Sequence, residues 1–308
     1  MYDIIIVGAG PAGLTAALYA RRAEKHVLIL EKDTFGGQIT FSPKIENYPG
    51  FAEISGNALA DLLVDQTLAQ GAEIELGPVQ AVSLESDGTK TVTTAEGDTY
   101  RTRAVILANG ARHRMLGLPG EAALVGKGIS FCAVCDGAFY KGKEVAVVGG
   151  GNTALQEAVL LSDGCRKVTV IQNLDHFTGE EKLLKILQER ENVELIPGTI
   201  VSGLEAENGE LAAIRCRPYA GGEEFTKKLD GLFVAIGLAP DNQAFADIAK
   251  LDEGGYFAAG EDCRTATPGV FIAGDCRAKR IRQITTAAAD GSVAALAACT
   301  YLDEETVS

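Results

Sequence analysis

Ile4-Ile5-Ile6-Val7-Gly8-Ala9-Gly10-Pro11-Ala12-Gly13 decides the fold of this 308-residue chain. The opening apolar run suits a strand buried on both faces. The glycines allow a tight turn and let a pyrophosphate approach the N-terminus of the helix that follows. An Ala/Leu-rich helix to about Ala23 and a strand Val27-Leu28-Ile29-Leu30-Glu31 complete a βαβ unit. Glu31 closes that second strand, where a carboxylate can accept hydrogen bonds from a ribose. Strand, glycines, helix, strand and terminal acid together predict nucleotide binding. The pattern then recurs. Glu144-Val145-Ala146-Val147-Val148 runs into Gly149-Gly150-Gly151-Asn152-Thr153-Ala154, a helix to about Leu161 and a strand Val168-Thr169-Val170-Ile171, with alanine at the third glycine position. Two such units predict an α/β protein with two nucleotide-sized domains.

Between and beyond them the pattern is coarser. Phe35-Gly36-Gly37-Gln38 and Ile45-Glu46-Asn47-Tyr48-Pro49-Gly50 read as loops over a ligand. A helix is expected from Ala58 to Ala69, strands at Glu73 to Leu76 and Thr91 to Thr94, and a buried strand at Ala104 to Ala108. Gly117-Leu118-Pro119-Gly120 is a linker. A helix near Glu180 to Glu189, a strand at Val193 to Ile196 and a β-meander over residues 200 to 230 follow. The runs Leu232 to Gly237 and Gly269 to Asp275 are strands ending in glycine turns, and a last helix begins near Arg282.

A net charge of -14 argues against nucleic acid or an anionic membrane as partner. No window is long and apolar enough to span a bilayer, and Met1-Tyr2-Asp3 enters a strand without a basic signal region, so a cytoplasmic location is expected. Of seven cysteines, Cys165, Cys216, Cys263, Cys276 and Cys299 are scattered and read as buried small apolar side chains. The other two lie in Phe131-Cys132-Ala133-Val134-Cys135-Asp136-Gly137. Two cysteines separated by two residues can close a redox disulfide, and an acid directly after them can hand protons to departing thiolates. A structural zinc would need a second ligand pair, and no other CxxC or HxxxH occurs, so no metal is expected.

In order, GAGPAG, the GGQ loop with Asn47 after it, CxxCDG, GGGNTA and a terminal GD followed by RQ resemble the low-molecular-weight thioredoxin reductase family over essentially the whole chain. That resemblance implies two Rossmann-like, three-layer ββα nucleotide-binding domains, the second inserted into the first. Residues 1–116 and 241–308 would form a discontinuous FAD domain, and residues 117–240 an inserted domain carrying the dithiol. The implied FAD contacts begin with Gly8, Gly10, Pro11, Ala12, Gly13, Glu31 and Lys32. They continue through Gly37, Gln38, Asn47, Val79, Ala108 and Gly110 to Gly274, Asp275, Arg282, Gln283 and Ile284. The family also implies Cys135 on the flavin side, Cys132 attacking the partner disulfide, Asp136 transferring protons, thioredoxin as substrate and a homodimer. Asp136 needs a pKa raised by burial for that role; its alternative is a helix N-terminal cap. Large disulfide reductases resembling glutathione reductase use a CxxxxC and a C-terminal histidine. This chain has neither, and His26, His113 and His176 are expected on the solvated surface.

One stretch departs from the family. NADPH-binding members carry an HRRxxxR-like run after the second glycine turn, whereas this chain has Gln172-Asn173-Leu174-Asp175-His176-Phe177-Thr178. Without a cationic fork the 2′-phosphate has no grip. No acid closes the strand Val168 to Ile171 for NADH, although Asp175 could substitute from the loop. The resemblance is therefore strongest to deviating thioredoxin reductases that accept electrons from reduced ferredoxin. Arg277, Lys279, Arg280 and Arg282, with Arg112 and Arg114, form a candidate docking patch for that acidic donor. The alternatives are an NADH- or NADPH-dependent thioredoxin-disulfide reductase, and a small-molecule dithiol oxidase or redox sensor of the same fold.

Overall fold

The computed structural model describes residues 1–42 and 45–307. The chain begins β1 (Tyr2–Val7), α1 (Pro11–Arg22), β2 (Val27–Glu31), α2 (Gly56–Ala69), β3 (Glu73–Leu76), β4 (Val79–Leu84), β5 (Lys90–Thr94), β6 (Thr99–Leu107) and β7 (Ala111–His113). It continues α3 (Glu121–Leu124), β8 (Ile129–Ser130), α4 (Ala133–Asp136), β9 (Glu144–Val148), α5 (Asn152–Ser162), β10 (Lys167–Ile171), α6 (Glu181–Gln188) and β11 (Val193–Ile196). Next come β12 (Thr199–Glu207), β13 (Glu210–Pro218), β14 (Phe225–Lys228), β15 (Gly231–Val234), β16 (Leu238–Pro240), β17 (Val270–Ile272) and α7 (Ile284–Val307).

Two compact units result: Met1–Arg112 with Ala239–Ser308, and His113–Leu238. The expected joins at 116/117 and 240/241 stand a few residues further along the chain. The two crossings, β7 and β16, pair with each other as a two-stranded sheet.

In the outer unit β1 is central, parallel to β2 on one side and to β6 on the other. Because neighbouring side chains alternate across a sheet, the run Ile4 to Val7 feeds two cores. Ile4 and Ile6 join Ile29, Ile106 and the alanine faces of α1 and α7. Ile5 and Val7 join Leu28, Val105, Leu107 and Phe257 opposite. The nine-residue β6 changes partners along one edge: Thr99 to Thr102 pair antiparallel with β5, while Val105 to Leu107 pair parallel with β17. The antiparallel end brings Val82 and Val92 over the second core, so the parallel sheet lies between helices and a β-ribbon. The β4 hairpin strand is not legible in the sequence, because Val79 to Leu84 alternates weakly and its burial comes from packing.

The inserted unit repeats the plan. Five parallel strands run β11-β10-β9-β15-β8, and β12, β13 and β14 form a separate antiparallel sheet. Val145, Val147, Val168 and Val170 pack against α5; Ala146, Val148 and Ile171 face Val201 and Ile214 of the meander. Both units are three-layer ββα. Among the described residues no helix is long and apolar enough to cross a membrane.

Candidate active site

The FAD contacts implied by the sequence gather in the outer unit at the carboxyl ends of β1, β2, β6 and β17, where open parallel sheets bind ligands. Gly8 has φ +107°, and a Cβ there would lie 2.4 Å from the Ala108 carbonyl oxygen. A Cβ on Gly13 would lie 1.9 Å from Gly8 O, so the helix can sit this close only without one. Gly10 caps α1 without a side-chain hydrogen bond and Pro11 opens the helix, which leaves first-turn N–H groups at Ala12 and Gly13 suited to an anion. The Gly36–Gly37 loop closes over this turn: Gly36 N–H donates to Ala9 O at 2.8 Å, and Gln38 follows in a short 3-10 segment.

Glu31 is buried and more occupied than expected. Its Oε2 accepts from Ala9 N–H at 2.6 Å, and its Oε1 from Lys32 and Asp33 N–H at 2.9 Å each. It ties the first turn to the second loop, with one acceptor position left for a ribose hydroxyl. Lys32 pairs with Asp241 at 2.6 Å. Val79 begins β4 at the edge of the second core, and Ala108 N–H donates to Val7 O at 2.8 Å. Gly110 follows with φ +68°.

From the C-terminal segment, Asn47 Nδ2 donates to Gln283 Oε1 at 3.3 Å, joining two residues far apart in sequence. Ile284 is the first residue of α7. Gly274 packs against Ala12, where a Cβ would come within 2.8 Å of the alanine methyl. Asp275 is largely desolvated, and burial raises its pKa against the opposing Lys279 charge. Lys279 Nζ is 3.4 Å from Asp275 Oδ1, an attraction without hydrogen-bond geometry, so that buried oxygen has no hydrogen-bond partner. Arg282 lies over the Tyr256 ring at 4.2 Å and donates to the Asp275 and Arg277 carbonyls. The tight glycine cradle and the orphaned Asp275 oxygen fit a dinucleotide with polar hydroxyls.

Sequence reading missed Asp290, buried on α7. It accepts from Arg277 at 3.0 and 3.2 Å, from Lys279 at 3.1 Å and from Gly274 N–H at 3.0 Å. Burial pushes its pKa up, but the two cations outweigh burial and hold it low. The signal was an acid set in the alanine-rich first half of α7 and followed by Gly291, whose Cβ would meet Ala12 O at 2.2 Å. This corrects the expected docking patch. Arg277 and Lys279 have side chains only 3% and 7% exposed and are neutralised internally, while Arg112 pairs with Asp33.

In the inserted unit Cys132 and Cys135 are joined in a disulfide, and the other five cysteines are free and buried. Cys132 caps α4, accepting from Cys135 N–H at 3.2 Å. Ser130 Oγ accepts from Cys132 N–H at 3.1 Å and donates to Asp136 Oδ2 at 2.6 Å. Asp136 Oδ1 is buried without a partner. Burial raises the Asp136 pKa, and the Ser130 hydrogen bond offsets part of that rise. The cap alternative fails: Asp136 ends α4 and makes no side-chain capping bond to the 3-10 turn after it. His113 is also corrected. It stacks on Phe131 at 4.8 Å, and burial depresses its pKa to about 4. Ser130 and Glu157, a half-buried acid on α5 beside Asp136, went unnoticed in sequence because neither belongs to a spaced motif.

The second glycine turn keeps its backbone form. Gly149 has φ +138° with its would-be Cβ 2.4 Å from Ala235 O, and Gly151 caps α5 without a side chain. Asn152, which opens α5, donates to Glu180 Oε1 at 3.2 Å. Buried Gln172 lies against Gly150, and Thr178 N–H and Oγ1 donate to Gly150 O at 2.8 and 3.2 Å. Asp175 is 93% exposed and pairs with His176 at 2.6 Å.

Two dinucleotide folds, one carrying a half-buried acid beside a disulfide, define a disulfide oxidoreductase. The family model described as pyridine nucleotide-disulphide oxidoreductase matches residues 2–291. The chain is 41% identical to the thioredoxin reductase of Listeria innocua over 308 residues, covering 99% of this chain and 95% of that one. It is 40% identical to that of Bacillus subtilis over 305 residues, covering 99% and 96%. The crystal structure of thioredoxin reductase from Streptococcus pyogenes superposes with TM-score 0.92 at 36% identity, covering 99% of both chains. The chain belongs to the thioredoxin reductase family of the pyridine nucleotide-disulphide oxidoreductases, and that membership implies a flavin cofactor.

Proposed function

We propose that this protein is an FAD-dependent reductase of the thioredoxin disulfide, fed by reduced ferredoxin. The observation that carries the reductase reading is the chain of contacts from Cys132 N–H through Ser130 Oγ to the half-buried Asp136. FAD, when bound, supplies the electron pair that opens the Cys132–Cys135 bond. Opening that bond leaves sulfurs that need protons, and burial lets Asp136 hold a proton at higher pH than an exposed aspartate would. Ser130 ties the carboxyl to the backbone N–H of Cys132. The Cys132 thiolate then attacks the partner disulfide, one partner sulfur leaves, and a mixed disulfide forms. Cys135 attacks Cys132 in turn, restoring the protein disulfide and releasing the partner as a dithiol. Val134, 62% exposed between the two cysteines, offers an apolar contact to a protein substrate.

Ferredoxin is favoured as donor because residues 172 to 178 hold no cation for a 2′-phosphate and Asp175 is spent on His176. Docking cannot use the Arg277 and Lys279 charges, so it falls to exposed groups such as Arg280 and Arg114. The second reading is an NADPH- or NADH-dependent enzyme, favoured by the intact Gly149 turn and the uncapped N-terminus of α5. The reading includes a homodimer, which sedimentation of the purified protein tests. Anaerobic reduction titrated separately with NADPH, NADH and reduced ferredoxin, coupled to thioredoxin-dependent insulin reduction, separates the donors. Bleaching of the flavin by NADPH at low stoichiometry would overturn the ferredoxin assignment, and absence of insulin reduction with every donor would overturn the substrate.

A further inference from the structure

We propose that Glu157 is the proton reserve behind Asp136, so that a pair of half-buried carboxyls, not one, governs the pH range over which the Cys132–Cys135 disulfide is reduced. The inference rests on the reductase reading above. Glu157 sits on α5 among Ala154, Leu155, Ala158 and Leu161, which with Ala133 of α4 form one apolar cluster. Its carboxylate takes a hydrogen bond from Ala133 N–H, at the start of the segment that carries both cysteines. Glu157 Oε2 and Asp136 Oδ1 are both buried and both lack a hydrogen-bond partner. Two unpartnered carboxyl oxygens under one four-residue segment are costly if ionised and tolerable if protons are shared.

The charges agree. Burial, and then the field of Asp136, raise the Glu157 pKa to about 7, against the Ala133 hydrogen bond. Tyr140 on the turn after α4 is pushed up to about 12 by burial first and by Asp136 next, so it stays neutral. On the other elements packed against α5, Glu144 of β9 pairs with Arg166, Lys167 of β10 with Glu194, and Lys185 of α6 with Glu181. Lys182 of α6 is exposed. None of these groups is among the influences on Glu157, which leaves Asp136 as the charge that moves it.

The step balances with one proton. Two electrons from the donor of the proposed reaction break the S–S bond and leave one thiolate and one sulfur that gains hydrogen. Asp136 gives that hydrogen as its O–H breaks and S–H forms. Glu157 then refills Asp136, directly or through one water, and recovers its own proton from solvent. Glu157 acts through Asp136 and is a positioning residue for the proton, not a group that touches sulfur.

The test uses the holoprotein and its Glu157→Gln and Glu157→Asp variants. Glutamine keeps the volume and an acceptor for Ala133 N–H but cannot carry the proton. Two quantities are read between about pH 5.5 and about pH 8.5: the rate of disulfide reduction, and the reduced fraction of Cys132/Cys135 in dithiothreitol redox buffers trapped by alkylation. The wild type should show an inflection near pH 7 in both. Glu157→Gln should lose it, running about tenfold slower at the acid end, where Glu157 holds its proton, the effect of one pKa unit, and about equal to wild type at the alkaline end, where Glu157 has lost it. Glu157→Asp should restore the inflection at a shifted pH. Superimposable profiles for wild type and Glu157→Gln would overturn the proposal, as would a loss of rate uniform across pH, which marks a purely structural role. A wild-type pair that never equilibrates with dithiothreitol would instead overturn the reductase reading and the inference with it.

Discussion

Replacing Asp290 by asparagine should destabilise the outer unit. The carboxylate is buried between Arg277 and Lys279, whose side chains are 3% and 7% exposed. Removing one partner of a buried ion cluster leaves uncompensated charge, at a cost of about 3–5 kcal/mol. Asparagine can still accept from Gly274 N–H and from one guanidinium N–H, and Glu261 still reaches Arg277 at 3.1 Å. The expected loss is therefore at the low end, about 3 kcal/mol. The assay is urea denaturation followed by far-ultraviolet circular dichroism, with FAD release monitored in parallel. The pH dependence has a definite sign. The folded pKa of Asp290 lies below its ordinary value, so its stabilisation is present above about pH 4 and is lost as pH falls through the folded pKa. Wild type and variant should converge in acid. A difference under about 1 kcal/mol at pH 7, or one that persists unchanged at pH 3, would refute the buried-cluster argument.

Other perturbations test other links. Asp136→Asn should slow disulfide reduction about 10²- to 10⁴-fold at neutral pH with the fold intact, as rapid-mixing kinetics would reveal. Gly8→Ala places a methyl 2.4 Å from Ala108 O at a positive φ; the purified variant should be colourless or lose its chromophore on dilution, and stoichiometric FAD would contradict the cradle. Cys132→Ser should abolish insulin reduction while leaving the other sulfur of the pair, Cys135, as a thiol open to alkylation; full turnover would remove the dithiol from the mechanism. Ile6→Ala deletes a fully buried side chain of the central strand and should cost about 2–5 kcal/mol by chemical denaturation.

The local devices were legible because each is encoded over a short span. A continuous apolar run followed by glycines announces a strand, a turn and a helix, and CxxCD announces a redox pair with an acid. The partners that make those devices work were not. Ser130 orders Asp136, and Glu157 shares its pocket, yet a serine two residues before a cysteine and a glutamate in a helix carry no distinctive spacing. Gln172 reads as one more missing cation, whereas its side chain in the structure packs onto the second glycine turn.

The sequence by itself determined the two βαβ units, the disulfide-forming cysteines and the lack of arginines after the second turn, since these depend on residue type and on separations of a few positions. Tertiary structure alone decided which charges survive at the surface. Arg277 and Lys279 read as an open cationic patch until α7 folds back and sets Asp290 between them. It likewise decided that Asp136 keeps its proton more readily than a free aspartate. Charge and acidity depend on what is excluded around a group, and exclusion is created by chain segments far away in sequence.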